Sequence, residues 1–183
     1  MDINFPSLET ERLLLRAFTK DDLDFVFQHF SNPEVHRYLL DNEPISTREH
    51  AQKITEFFAQ TEDKTHHRWL IVRKSDDLAI GTCGFHKWQQ QHHRTEIGYD
   101  LQPSARNQGF MTEALTAMLS FCFEQMKINR IEALIHPKNL DSIRLIENLG
   151  FQKEGVLRDY FRRADRYYDH CLYSLLKSQW SQE

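Results

Sequence analysis

Residues Arg106-Asn107-Gln108-Gly109-Phe110-Met111-Thr112-Glu113-Ala114 decide how this chain reads. They join a strand-like run, Thr95–Leu101, to the best amphipathic helix pattern in the sequence, Met111 to about Gln125. Met111, Ala114, Leu115, Met118, Leu119 and Cys122 recur at the spacing of one helix face packed on a sheet. The first N–H groups of a helix lack an intrahelical acceptor, and the helix dipole puts partial positive charge there. Such an end binds phosphate. Gly109 lets the backbone approach a ligand with no Cβ in the way. Arg106 adds a planar, permanently charged guanidinium, and Thr112 adds a hydroxyl donor. A glycine turn that only starts a helix fits the same residue types, because short glycine motifs match by accident. No G-x-x-x-x-G-K-[ST] and no G-x-G-x-x-G is present, which excludes a Walker loop and a dinucleotide fingerprint.

Outward from this turn the chain alternates strand and helix signals. Arg12–Phe18 is a short apolar run and a first strand. Asp21-Asp22 opens an amphipathic helix through Phe30, which Asn32-Pro33 breaks. A second helix starts at Ser46 or Thr47, and Ser46 with Glu49 makes the S-x-x-E capping box. Strands follow at Trp69–Arg73, Ala79–His86 and Thr95–Leu101. After the long helix come a strand at Arg130–His136, a helix at Leu140–Leu149 with Gly150 as its C′ residue, and a closing pair, Phe151 to about Tyr160 and Tyr167–Leu175. These elements predict a mixed α and β unit in one domain, residues 1–183. Its sheet is mostly antiparallel with about seven strands, helices lie on both faces, and the order permits one parallel step.

The bulk composition narrows the function. The chain has 183 residues, enough for a buried core, with 40% hydrophobic and 27% charged residues. A formal net charge of -4 gives no sign of a nucleic-acid or anionic-membrane partner. Cys83, Cys122 and Cys171 are odd in number and widely spaced, as buried thiols of a reducing compartment are. Met1–Leu8 carries no signal-peptide pattern, and no apolar run approaches the roughly 20 residues of a membrane helix. The expected location is the cytoplasm.

The stretch Glu96-Ile97-Gly98-Tyr99-Asp100-Leu101-Gln102-Pro103, followed by Arg106-x-x-Gly109-x-Met111, resembles the acetyl-CoA-binding core of the GNAT superfamily, R/Q-x-x-G-x-G/A, with Met111 as a departure at the last position. Glu9–Arg16, Asn139-x-x-Ser142-x-x-Leu145-x-x-x-Leu149-Gly150-Phe151, Glu154–Arg158 and Asp169–Lys177 extend the likeness over nearly the whole chain, toward the RimJ/RimL-like branch that acetylates ribosomal-protein N-termini. The resemblance implies a GNAT fold in which Thr95–Leu101 and Arg130–His136 splay apart. Pantetheine would lie in that gap against main-chain groups near Asp100 and Leu101. The pyrophosphate would rest on Arg106, Asn107, Gln108, Gly109, Phe110, Met111 and Thr112, and Asn139 would bond the pantetheine amide. The implied reaction is direct attack of a primary amine on acetyl-CoA in a ternary complex, with no metal. The acceptor is a protein N-terminus or a small amine such as an amino acid, polyamine or antibiotic; a non-catalytic acyl-CoA sensor uses the same fold. Homodimers are common among such relatives.

Two proton tasks go with that reaction. Strand alternation puts Glu96, Gly98 and Asp100 on one face and Ile97, Tyr99 and Leu101 on the other, so Glu96 lies off the apolar side, as a base or as a solvated carboxylate. Many GNAT enzymes place a tyrosine where this chain has Ile146; RimL-like enzymes resemble it in offering a serine at Ser142 as donor to the leaving sulfur. Asn139 and Ser142 also suit the cap and first turn of a helix. His66-His67, His92-His93 and Cys83-x-x-His86 lack a second ligand pair and are expected as surface or loop histidines rather than a metal site, although His86 could face the acceptor. Phe25, Phe27, Phe30, Phe57 and Phe58 are expected in the core. Arg158, Arg162, Arg163, Asp165 and Arg166 read as a solvated hairpin or as a contact for an acidic partner or the CoA 3′-phosphate. Residues that shape the acceptor pocket are expected in the loop 32–44 and the hairpin 160–168.

Overall fold

The computed structural model describes residues 5–39, 44–60 and 65–180. Expectations at residues 1–4 and for the part of the acceptor loop at 40–43 lie outside the described residues. The strands are β1 (Leu8–Glu9), β2 (Leu13–Ala17), β3 (His67–Arg73), β4 (Leu78–Gln89), β5 (Arg94–Leu101), β6 (Arg130–Ile135), β7 (Gln152–Arg163) and β8 (Arg166–Leu176). The helices are α1 (Leu23–Phe30), α2 (Pro33–His36), α3 (Arg48–Ala59), α4 (Phe110–Glu124) and α5 (Leu140–Asn148). The eight strands of the described residues form one sheet in the order β1-β2-β3-β4-β5-β6-β8-β7. Every neighbouring pair is antiparallel except β5–β6. The expected count of seven becomes eight through the two-residue β1.

Two cores flank the sheet. On one face α4 and α5 pack on Trp69, Ile71, Cys83, Phe85, Ile97, Ile131 and Ala133. The stripe read from the sequence is what α4 buries: Ala114, Leu115, Met118, Leu119 and Cys122 are all at 0% exposure, each large side chain stabilising by about 1.5–3 kcal/mol. On the other face α1 and α3 pack through Val26, Phe30 and Ala51 onto Leu70 and Val72. The three cysteines are free and buried. No helix among the described residues is long and apolar enough to cross a membrane.

Local chemistry explains the element ends. Asn32 ends α1 and restarts the chain as the cap of α2, its Oδ1 accepting from the Glu34 N–H at 2.9 Å. The α3 cap is Thr47 rather than Ser46: its Oγ1 accepts from the His50 N–H at 3.2 Å, and Glu49 pairs with Lys53 at 2.8 Å instead of closing a box. Gly150 has φ +90°, with its N–H on the Glu147 carbonyl and the Phe151 N–H on that of Ile146, which is a Schellman end to α5.

Two placements correct the expectations. Phe58 packs on Phe18 and Phe30, so its neighbour Phe57 turns outward, 48% exposed and stacked on His66 at 4.4 Å. His67 is not on the surface but 4% exposed in β3, where it stacks on Phe5 at 4.7 Å and meets Trp69 edge-on. Burial pushes its imidazole down to about 4, so it sits there neutral.

Candidate active site

β5 and β6 are hydrogen-bonded neighbours only at Arg94↔Arg130, Thr95↔Ile131 and Glu96↔Glu132. Beyond Glu96 they part, while β5 stays zipped to β4 through Leu101 and β6 to β8 through Ile135. A cleft of about 530 Å³ opens in the gap. Tyr99, Asp100 and Leu101 line one wall, Asn139, Ser142 and Leu145 the other, with the front of α4 at one end and Val35 and Tyr38 of the α2 segment above.

The turn before α4 is built from main chain. Asn107 has φ +60° and Gly109 has φ +79°, and Gly109 caps the helix. A Cβ at Gly109 would come within 3.3 Å of Arg12 Nη2, and the left-handed conformation itself favours glycine. The first intrahelical bond runs from the Glu113 N–H to the Gly109 carbonyl at 3.1 Å. The N–H groups of Phe110, Met111 and Thr112 lie ahead of it, with no acceptor among the described residues. Arg12 clamps the turn from behind. Its Nη1 donates to the Gln108 carbonyl at 3.0 Å, and its Nε and main-chain N–H donate to Glu113 at 2.6 and 2.8 Å. Arg106 donates to the carbonyls of Glu34 and Leu101 at 3.2 and 3.3 Å, tying α2 to the end of β5.

The predicted site residues all line this cleft except Glu96 and Gln108. Gln108 turns its amide to the Ser104 carbonyl at 2.8 Å. Asn139 caps α5, its Oδ1 accepting from the Ser142 N–H at 3.3 Å. The Ser142 hydroxyl meets the Tyr99 hydroxyl at 2.7 Å across the gap. Burial pushes the Tyr99 phenol well above its ordinary range, against a smaller opposing effect from Ser142, so it stays protonated. Glu96 sits at the apex where the strands part, on the opposite face of the sheet. Its carboxylate takes His86 Nε2 and Lys87 Nζ, both at 2.9 Å. Burial alone would raise its pKa, but those two partners together hold it below the ordinary range.

The sequence matches the acetyltransferase (GNAT) domain family over residues 12–152. The chain belongs to the GNAT family. It is an N-acetyltransferase, 40% identical to the uncharacterized N-acetyltransferase YoaA of Bacillus subtilis, over 94% of this chain and 98% of that one. A GNAT-family acetyltransferase structure from Bacillus anthracis superposes with a TM-score of 0.83 at 27% identity, covering 94% of this chain and 99% of that chain. Over a shorter span, 49% of this chain and 46% of the other, it is 35% identical to the ribosomal protein uS5 alanine N-acetyltransferase of Escherichia coli.

In this GNAT chain Asp100 does not turn its side chain into the cleft. It is buried, with Oδ1 on His29 Nε2 at 2.6 Å, Oδ2 on Arg68 Nη2, and the Thr82 hydroxyl at 2.8 Å from Oδ2. Burial would raise its pKa, yet Arg68 and His29 outweigh that and bring it down to about 2. That leaves only its main chain on the cleft side, which is the part of Asp100 that the resemblance assigns to pantetheine. Tyr99, Arg12, Arg68 and His29 have no site role in the sequence reading, and His86 has only a possible place facing the acceptor. Tyr99 shares the alternating face that also carries Ile97 and Leu101, so its direction was readable; its partner was not. Among the described residues no group of three His, Cys, Asp or Glu is placed to hold a metal. The Arg158–Arg166 cluster lies outside the cleft lining.

Proposed function

We propose that this enzyme takes its acetyl group from acetyl-CoA and passes it to a primary amine, with a protein N-terminus as the acceptor. The observation that carries the reading is the gap between β5 and β6 ending on three unpaired N–H groups at the front of α4. Those donors, in a positive helix-end field, suit a pyrophosphate. The free edges of β5 and β6 suit an extended amide chain added like a strand. Acetyl-CoA supplies an activated thioester. Phe110, Met111 and Thr112 orient it by its phosphates, with Arg106, Asn107, Gln108 and Gly109 shaping the turn. Asp100 and Leu101 offer main-chain groups, and Asn139 keeps its amide nitrogen for a pantetheine carbonyl. Holding both reactants in line supplies much of the acceleration. Glu96 at the apex serves deprotonation of the amine, and Ser142, backed by the Tyr99 hydroxyl, supplies a proton to the leaving sulfur. The likeness to the uS5 alanine N-acetyltransferase supports a protein N-terminus, and three free, buried thiols fit a reducing, cytoplasmic setting.

Thermal unfolding and thiol release test the reading together. Acetyl-CoA should raise the midpoint while ATP should not. Free thiol then appears with a peptide starting in alanine faster than with spermidine or lysine. A midpoint moved equally by ATP, or no thiol with any amine, contradicts it.

A further inference from the structure

The apex of the cleft holds more than a carboxylate. His86 of β4 is the register partner of Glu96, and its Nε2 lies 2.9 Å from Glu96 Oε1. That bond assigns the Nε2 proton toward the carboxylate and leaves Nδ1 with a lone pair. Nδ1 has no hydrogen-bond partner among the described residues. The ring lies over Gly98, whose missing Cβ would stand 3.6 Å from Cε1 and 3.9 Å from Nδ1. Gly98 is the second β5 residue past the last β5–β6 pair, so the imidazole covers the point where the strands part. The His86 side chain is 37% exposed and that of Glu96 only 13%. An incoming amine therefore reaches the ring before the carboxylate, which His86 and Lys87 already occupy.

We propose that His86 is the group that takes the proton from the acceptor ammonium, and that Glu96 is a positioning residue that orients the imidazole and balances its charge once protonated. This rests on the acetyl-transfer reading and specifies its base. The step balances as follows. Nδ1 accepts one proton from the ammonium and passes it to water. The neutral amine attacks the thioester carbonyl carbon, a C–N bond forms and the C–S bond breaks. The departing sulfur gains a proton from the Ser142–Tyr99 hydroxyl pair, and the second proton lost by the nitrogen replaces it. The net products are the acetylated amine, CoA thiol and one proton.

The charged groups around the ring come from four strands. Lys87 follows it on β4 and Glu96 faces it from β5. Arg68 of β3 extends Nη1 to within 3.4 Å of the same Gly98 position, where its guanidinium is held by the buried Asp100. Glu132 of β6 is the next residue in the row, itself paired with Arg130 at 2.7 Å.

Chemical rescue tests the assignment, with an alanine-first hexapeptide and spermidine as acceptors. His86→Ala should lower kcat at saturating acetyl-CoA by roughly 100-fold with the acetyl-CoA KM nearly unchanged. Added imidazole should restore part of the rate, in proportion to its unprotonated fraction as pH rises. His86→Gln should lose the acid limb of the kcat–pH profile, while Glu96→Gln should be slower but keep it. Full kcat in His86→Ala overturns the inference and leaves acetyl transfer standing. So does a loss that imidazole fails to restore while formate restores Glu96→Ala. No thiol release by the unaltered enzyme with either acceptor overturns both.

Discussion

The two ends of the cleft are built from different materials. At the end proposed for the phosphates the groups on offer are main-chain N–H donors of Phe110, Met111 and Thr112, fixed by helix geometry and a left-handed Gly109. At the apex they are side chains, His86, Glu96, Tyr99 and Ser142, brought together from three separate elements. A main-chain site announces itself locally, through a glycine and a helix period. A side-chain site depends on which residue stands opposite which, and that is set by strand register.

Substitutions should separate the two ends. The largest effect is expected where one residue supports the shared wall. Asp100→Ala leaves Arg68 and His29 facing each other in a buried site, and losing one partner of such a pair costs about 3–5 kcal/mol. Urea unfolding checks it. The same carboxylate sets an acid limit. Its folded pKa lies near 2, against an ordinary 3.8. A depressed carboxylate stabilises the fold above its ordinary value, so this contribution is complete above about pH 4 and fades as pH falls toward 2. The stability gap between the parent and Asp100→Ala should narrow over that window.

Gly109→Val comes next. A β-branched residue at φ +79° carries strain of about 1–3 kcal/mol, and its bulk meets Arg12. Calorimetric binding of acetyl-CoA should weaken by roughly 10-fold or more, with the apex chemistry intact once the site is saturated. Ser142→Ala should do the reverse: kcat falls about 10-fold and acetyl-CoA affinity holds. If Ser142→Ala instead weakens binding as much as Gly109→Val does, the division between the ends fails. The smallest effect is Asn139→Ala, which removes the α5 cap and about 1 kcal/mol of stability, read by thermal unfolding.

That division also explains what the sequence disclosed. The stripe of α4, the Gly150 end of α5 and the turn at 106–112 were all legible, because each depends on neighbours in the chain, whereas the element order only permitted a parallel step, which the structure puts between β5 and β6. Face alternation put Glu96, Gly98 and Asp100 together correctly. It could not say that Asp100 points at His29 and Arg68, which lie 71 and 32 residues away, or that Glu96 stands across from His86, because that pairing is set by the β4–β5 hairpin register, which shifts between His86 and Gln89. Thr47 displaced Ser46 as a cap because the backbone at Thr47 is extended, at φ -134° and ψ 152°, which a matching S-x-x-E string does not encode. Phe57 and Phe58 looked alike in composition, yet successive helix residues face different ways, and one of them had to leave the core. His66-His67, which without a second ligand pair reads as surface or loop histidines, puts His67 in β3 between two covered faces.

The central assignment concerns the front of α4 and the parted strands. Amide chemical shifts of the isotope-labelled protein, followed during titration with acetyl-CoA, test it most directly. The account predicts the largest changes at Gly109, Phe110, Met111 and Thr112, with a second set at Tyr99–Leu101. Shifts confined to the other groove, lined by Thr10, Ser120, Gly150 and Trp180, with Phe110–Thr112 unmoved, would contradict it.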